Sequence, residues 1–280
     1  MMNAEIVNID GKKLAFTRIG AWSAEAVLFF HGFLGSRDYF PDYECDGKCI
    51  LSFDRPGIGD SEAGGPYAME DFLMQVRAVL QERGVTAVRL VGHSAGGYYA
   101  QVFASMFPDL VRSLTLVSSV FPLNMRQTAL RSGAKWRFVA FLLQRCRRFS
   151  RFFIRKMAAS IRLDYDAQLA GNLKTLPAAE RAYIESHAEQ IKHAVLAGVA
   201  NDGEGAFLDA SALGRRRKGL DISPDIPVYV WHGTADKTVA FSAVKYFERA
   251  YAVRYVHRID GAGHMLYLPH WSDILAEAAR

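Results

Sequence analysis

The stretch VRLVGHSAGGYYAQVFASMFP, residues 88–108, joins an apolar run to a helical pattern through Gly92-His-Ser-Ala-Gly96. Strand, Gly-x-Ser-x-Gly and helix in that order is typical of a nucleophile elbow, a sharp turn that exposes a serine hydroxyl above a sheet. The residues two before and two after the serine must be small, because strand and helix press against the turn. A chance Gly-x-Ser-x-Gly at a bend would look the same, so this stretch alone leaves both interpretations open.

Short apolar runs alternate with helical patterns on both sides of this turn. The predicted strands are 5–9, 14–19, 26–30, 49–53, 88–91, 114–117, 228–231 and 255–259, and the predicted helices are 69–83, 95–107, 241–250 and one after Pro269. The first two strands form a hairpin across Asp10-Gly11, and the runs 26–30, 49–53, 88–91 and 114–117 are continuous rather than alternating, as in strands covered on both faces. The pattern predicts an α/β protein with a doubly wound, mostly parallel, eight-stranded sheet.

Residues 121–222 interrupt this alternation with helical spacing and few strand signals. We expect them to form a helical cap inserted after the sixth strand, above a core of residues 1–120 and 223–280. The cap would cover the carboxyl ends of the strands, where ligands bind in open α/β sheets. It contains 18 Lys and Arg against 9 Asp and Glu, so its net charge of +9 exceeds the net charge of +5 of the whole chain.

Two loops after predicted strands offer partners for Ser94. Asp236 follows the strand 228–231, and His264 lies in a glycine-rich loop after the last strand. Both loops would emerge at the same sheet edge as Ser94, in the chain order Ser, Asp, His that this architecture uses. His264 would take the serine proton and return it to the leaving group, and Asp236 would fix the imidazole tautomer.

Other residues compete for these roles. Asp260 is an alternative acid, but it lies only four residues before His264 in the same loop. Among the histidines, His257 falls within a strand pattern and His270 at a helix start, and the ring of His93 is expected to point away from the reacting face. Asp236 and His264 are therefore the favoured partners.

The segment Phe29-Phe-His-Gly-Phe-Leu-Gly35 predicts an oxyanion site. Backbone N–H groups of Phe33 and Ala95 would hold the developing negative charge, and His31 would brace the loop. The tight loop Ser52–Ser61 lacks the lysine and spacing of a phosphate-binding loop. We expect it to turn the chain and support the oxyanion loop.

Taken together, the motifs resemble those of the α/β-hydrolase superfamily, in its serine-nucleophile form with a helical cap, and the likeness runs essentially from end to end. The matching segments, in family order, are His31-Gly32, Asp54-Arg-Pro-Gly-Ile-Gly-Asp-Ser61, Gly92-His-Ser-Ala-Gly96, Gly233-Thr-Ala-Asp236 and Gly263-His264. The resemblance implies a triad of Ser94, Asp236 and His264. No subfamily signature is recognised in the cap.

A serine at this turn, rather than a carboxylate, argues against alkane dehalogenation and epoxide opening and leaves acyl transfer to water. We expect an esterase- or lipase-like hydrolase of a small-molecule carboxylic ester with a hydrophobic acyl or aryl group. A thioester or C–C substrate, acyl transfer to an alcohol or amine, and a non-catalytic binding protein remain alternatives. None of these reactions requires a metal or an organic cofactor.

The first part of the cap, residues 121–163, has eleven Lys and Arg and no Asp or Glu. This pattern fits an anionic-substrate site, an anionic membrane contact or a solvated face above an apolar lid. Nucleic-acid binding is not expected, because no recognised module accompanies the charge. Candidate substrate contacts in the cap are Trp136, Phe138, Phe141, Arg145, Arg147 and Arg148.

The polar N-terminus, the lack of a long apolar run and an odd count of three cysteines predict a cytoplasmic protein with reduced thiols. The oligomeric state has no signal in the sequence.

Overall fold

The computed structural model describes residues 2–39, 41, 48–121, 142, 145–215 and 220–278. Within these residues, eight strands form one sheet. The strands are β1 (Met2–Ile9), β2 (Lys12–Ile19), β3 (Glu25–Phe30), β4 (Cys49–Phe53), β5 (Ala87–His93), β6 (Val111–Val117), β7 (Val228–Gly233) and β8 (Val253–Ile259).

The sheet has the order β1-β2-β4-β3-β5-β6-β7-β8. Strand β2 runs antiparallel to both of its neighbours, and the remaining pairings are parallel. The hairpin between β1 and β2 turns at Asp10 and Gly11, whose φ angles of 52° and 77° are those of a tight hairpin turn. The predicted doubly wound, mostly parallel sheet is confirmed.

Helices lie on the sheet and between β6 and β7. They are α1 (Met69–Glu82), α2 (Ala95–Met106), α3 (Arg147–Leu163), α4 (Tyr165–Leu173), α5 (Ala178–Ser186), α6 (Ala188–Gly198), α7 (Glu204–Leu213), α8 (Val244–Ala250) and α9 (Trp271–Ala278). The predicted helix 241–250 begins as a 3₁₀ turn, Phe241–Ala243, before α8. Among the described residues, the whole stretch between β6 and β7 contributes helices and no strand.

Apolar side chains fill the space on each side of the sheet. On one side, α1 and α2 bury residues such as Phe72, Leu80 and Phe103 against β3 and β5. On the other, α9 buries Trp271 and Leu275. Because helices cover both faces of the sheet, we expect a functional site at the carboxyl ends of its strands, here those of β3, β5, β7 and β8. No helix in the described part of the chain is long and apolar enough to cross a bilayer.

Candidate active site

Ser94 occupies a strained turn between β5 and α2. Its backbone has φ 52° and ψ −119°, a region that L-residues rarely adopt. A Cβ at Gly92 would lie 2.6 Å from the Cα of Gly97, and one at Gly96 would collide with the carbonyl of Phe30. Only glycine fits at either position, so the small residues of the motif are explained by the close approach of strand and helix.

The side chains of Ser94, His264 and Asp236 form a hydrogen-bonded chain. His264 Nδ1 lies 2.8 Å from Asp236 Oδ2, and His264 Nε2 lies 2.9 Å from Ser94 Oγ. Since a carboxylate only accepts, Nδ1 carries the proton, and Nε2 is left to accept from the serine hydroxyl. The three loops that follow β5, β7 and β8 therefore bring a hydroxyl, a base and an acid into contact at one sheet edge.

Asp236 is held as an ionised acceptor. Its Oδ1 accepts hydrogen bonds from the backbone amides of Thr238, at 2.8 Å, and Val239, at 2.9 Å. Burial alone would raise the pKa of this carboxyl, but the hydrogen bond from His264, its charge and the Val239 amide hold the pKa below its usual range. The carboxylate is thus fixed in both charge and orientation beneath the imidazole.

His93 supports the loop that carries His264. Its Nε2 donates a 3.0 Å hydrogen bond to the backbone carbonyl of His264, and the two rings lie 5.0 Å apart. Burial, reinforced by the neighbouring His264, lowers the pKa of His93 to about 3, so the ring is neutral. From the sequence we predicted only that the His93 ring points away from the reacting face of the turn. Its hydrogen bond to the His264 carbonyl was not predicted.

The loop after β3 is braced by Arg55. The guanidinium donates hydrogen bonds to the carbonyls of His31, at 2.8 Å, and Gly32, at 2.9 Å. The next residue, Phe33, lines the same cavity as Ser94 and Ala95. Ala95 is the first residue of α2, so its N–H has no acceptor within the helix. These are the two amides expected to face an oxyanion.

Arg55 also belongs to a buried network that the sequence did not predict. It forms a 2.8 Å ion pair with Asp209 of α7, and both side chains are almost completely buried. Tyr99 donates to the second oxygen of Asp209 at 2.8 Å, and the hydroxyl of Tyr67 lies 2.8 Å from that of Tyr99. The network links the inserted helices to the loop after β3. One local feature could have indicated a buried polar partner, because Asp209 is the one carboxylate within the apolar run 206–213 of α7.

A second carboxylate, Glu180 of α5, contacts the loop that carries His264. It accepts a 3.0 Å hydrogen bond from the amide of Met265 and a shorter one from the amide of Gly263. Burial raises the pKa of Glu180 above its usual range despite these bonds. No sequence signal marks this residue, because its partners are backbone groups more than eighty residues away.

An apolar cavity of about 400 Å³ lies above Ser94 and His264. Its floor comes from the sheet edge, with Phe33, Ala95 and Tyr98. Its walls come from the inserted helices, and the contributing side chains are Phe149, Phe153, Ile154 and Met157 of α3 with Ala210 and Leu213 of α7. The site is of the size and apolar character typical of small-molecule pockets, with its polar groups gathered at the serine.

The cap residues predicted to contact substrate lie elsewhere or outside the described residues. Arg145, Arg147 and Arg148 are exposed, and none is among the described residues that line the cavity. Arg147 lies over the ring of Phe207 at 5.5 Å. The remaining three candidates, Trp136, Phe138 and Phe141, lie outside the described residues.

The chain matches a known protein family and is similar to several known proteins. Residues 25–270 match the family model of the alpha/beta hydrolase fold. A dihydrolipoyllysine-residue acetyltransferase component of an acetoin cleaving system from Cupriavidus necator is 37% identical over 123 residues, covering 41% of this chain and 32% of the relative. An sn-1-specific diacylglycerol lipase from Mus musculus is 31% identical over 97 residues, covering 33% of this chain and 32% of the lipase.

The match thus spans about a third of the length of these curated relatives. Among solved structures, an esterase from Exiguobacterium antarcticum has a TM-score of 0.69 at 19% identity, with 98% of each chain covered. At this identity the likeness shows a shared fold.

Proposed function

Because this chain belongs to the alpha/beta hydrolase fold family, and because its strained turn presents a serine to a histidine, we propose that it is a serine hydrolase of carboxylic esters with a hydrophobic acyl or aryl group. The observation that carries the proposal is the hydrogen-bonded chain from Ser94 Oγ through His264 to Asp236, at the floor of an apolar cavity. The lipase named above supports the same reaction class.

The reaction begins at the serine hydroxyl. His264 Nε2 takes the proton as Oγ of Ser94 attacks the ester carbonyl carbon. The Asp236 carboxylate stabilises the imidazolium that forms. The tetrahedral oxyanion lies against the backbone amides of Phe33 and Ala95, which are fixed in place before the substrate arrives.

Collapse of this intermediate releases the alcohol, which receives its proton from His264, and leaves an acyl group on Ser94. A water molecule then gives a proton to His264 and attacks the acyl carbon. The acid leaves, and the serine regains its proton from the imidazolium. One ester and one water are thereby converted to one acid and one alcohol.

The side chains that line the cavity favour an apolar substrate group. The walls from α3 and α7 are almost wholly apolar, whereas Arg145, Arg147 and Arg148 do not line it within the described residues. We therefore assign the cavity to a hydrocarbon acyl or aryl group. An anionic group would have no cationic partner among these lining residues.

The test is labelling with a fluorophosphonate probe together with hydrolysis of p-nitrophenyl esters of increasing acyl length. The probe should modify Ser94, and Ser94→Ala should abolish both labelling and turnover. Matched acyl thioesters and an alcohol acceptor in the same panel separate ester hydrolysis from the related acyl transfers. A folded wild-type protein that neither reacts with the probe nor turns over any ester would refute the proposal.

A further inference from the structure

One side of α3 combines exposed aromatic rings with cations. Phe149, Phe152, Lys156 and Leu163 recur at helical spacing, so their side chains lie along one face. Phe152 is 61% exposed and Leu163 is 89% exposed. We call this surface, with Arg148 and Phe153, the outer face of α3. The opposite side of the helix, including Ile154 and Ala158, is buried.

The charge of this region has one sign. Residues 121–163 contain eleven Lys and Arg and no Asp or Glu. Along the flank of α3, three arginines do find acidic partners on the neighbouring turn: Arg151 pairs with Glu204, and Arg155 and Arg162 pair with Asp202. By contrast, within the described residues, Arg148 and Lys156 have no carboxylate within 4.0 Å. The outer face therefore presents positive charge and apolar rings together.

The outer face is continuous with the cavity above Ser94. Phe149 and Phe153 line that cavity, and they are also 57% and 61% exposed. Their rings thus form part of the wall between the outer surface of α3 and the serine. A hydrocarbon chain that rests on the outer face meets apolar side chains all the way into the cavity.

We propose that the outer face of α3 docks on the surface of an anionic phospholipid bilayer and delivers lipid acyl esters to Ser94. Phe152 and Leu163 would enter the boundary between head groups and acyl chains, while Arg148 and Lys156 contact the phosphates. A helix with aromatic and aliphatic side chains between cations has the composition of one that lies in the membrane interface. A bilayer supplies both the negative charge and the apolar layer that this face lacks.

Delivery of an ester rests on the proposed function, but docking itself does not. The binding experiment therefore uses the full chain with Ser94→Ala, so that no lipid is consumed. Sedimentation with vesicles of phosphatidylcholine is compared with vesicles containing about one quarter phosphatidylglycerol. We expect about tenfold or more stronger binding to the anionic vesicles, with a loss at high salt.

Two double variants test the apolar and the charged residues of the outer face separately. Phe152→Ser with Leu163→Ser removes apolar anchors outside the cavity, and Arg148→Glu with Lys156→Glu reverses its charge. Each should weaken binding to anionic vesicles about tenfold or more. Matched controls are Ile6→Ser with Met74→Ser, which removes apolar side chains that are 56% and 50% exposed elsewhere on the surface, and Lys245→Glu with Arg249→Glu on α8. Both controls should bind as the parent does.

Equal binding to neutral and anionic vesicles, or unchanged binding by both outer-face variants, would overturn docking. Docking would also be overturned if the parent formed a concentration-dependent dimer and Phe152→Ser with Leu163→Ser abolished it. A second copy of the chain would then cover the outer face. With Ser94 restored, the same apolar variant should keep its rate on a soluble short ester and lose it on a vesicle-bound ester. Loss of both rates would contradict delivery, whereas an inactive parent that still binds vesicles would contradict only the proposed hydrolysis.

Discussion

The carboxylate of Glu180 accepts a 3.0 Å hydrogen bond from the backbone amide of Met265, the residue after His264. A second bond from the amide of Gly263 places the same carboxylate on the other side of the histidine. Glu180 belongs to α5, one of the helices inserted between β6 and β7. An inserted helix therefore holds the backbone on both sides of the imidazole that contacts Ser94.

Replacing Glu180 with Gln should slow the reaction at the serine. The amide side chain can accept from one backbone N–H but presents an NH₂ group to the other, so one buried donor loses its partner. Such a loss costs about 1–3 kcal/mol, and we expect kcat to fall about tenfold with a smaller change in KM. The rate of fluorophosphonate labelling of Ser94 measures the effect on the histidine directly.

The matched control is Glu185→Gln, an exposed glutamate on the same helix. It should label and turn over at the parental rate. If Glu180→Gln lowered the melting temperature but left labelling unchanged, Glu180 would stabilise the fold without positioning His264.

The ion pair between Arg55 and Asp209 should be far costlier to break than an exposed ion pair. Asp209→Ala leaves a guanidinium buried without its carboxylate and removes the acceptor of Tyr99. Breaking one side of a buried pair costs about 3–5 kcal/mol, and the free energy of unfolding in urea should fall by that amount. Asp202→Asn removes the exposed carboxylate that pairs with Arg155 and Arg162, and it should lower the free energy of unfolding far less, because water screens an exposed ion pair. Similar losses in the two variants would contradict this ranking.

The strands and helices could be predicted because their signals are local. Continuous apolar runs mark strands β3 to β7, and Gly92 and Gly96 mark the turn at Ser94. Asp236 and His264 could be singled out because each lies in the loop after a strand that ends at the same sheet edge.

The contacts that brace the site could not be predicted in the same way. Arg55 and Asp209 are separated by 154 positions, and only the folded packing of α7 on the loop after β4 brings them together. Glu180 binds backbone amides, so no partner side chain accompanies it in the sequence. The directions in which Arg147 and Arg148 point also depend on how α3 is rotated about its axis, which the composition of the segment does not specify.

Buried neutral histidines should make the protein less stable in acid. The pKa of His93 falls to about 3, and burial also lowers the pKa of His31 and of His232. The unfolded chain binds protons at these sites below about pH 6.5, whereas the folded chain binds them only at lower pH, so stability falls as the pH falls below about 7, and for His93 it continues to fall towards pH 3. For His93, the free energy of unfolding should fall by about 2 kcal/mol between pH 7.5 and pH 5.

Urea unfolding of His93→Gln at the two pH values checks this assignment. Glutamine keeps an N–H donor for the His264 carbonyl but does not titrate, so the pH dependence should shrink by about 2 kcal/mol. The control is Thr115→Val, a buried substitution that changes no titratable group and should leave the pH dependence unchanged. An equal effect of both substitutions would mean that burial of His93 is not the cause.

The turn at Ser94 should store strain that a glycine releases. Its φ of 52° and ψ of −119° fall in a region essentially reserved for glycine, where another residue costs about 1–3 kcal/mol. Ser94→Gly and Ser94→Ala both remove the hydroxyl and should both be inactive, but only glycine relaxes the backbone. The greater freedom of glycine in the unfolded chain offsets about 0.4–1 kcal/mol of the gain. We therefore expect the free energy of unfolding of Ser94→Gly to exceed that of Ser94→Ala by about 1 kcal/mol, measured in urea at neutral pH. Equal stability of the two variants would show that the turn holds Ser94 without strain.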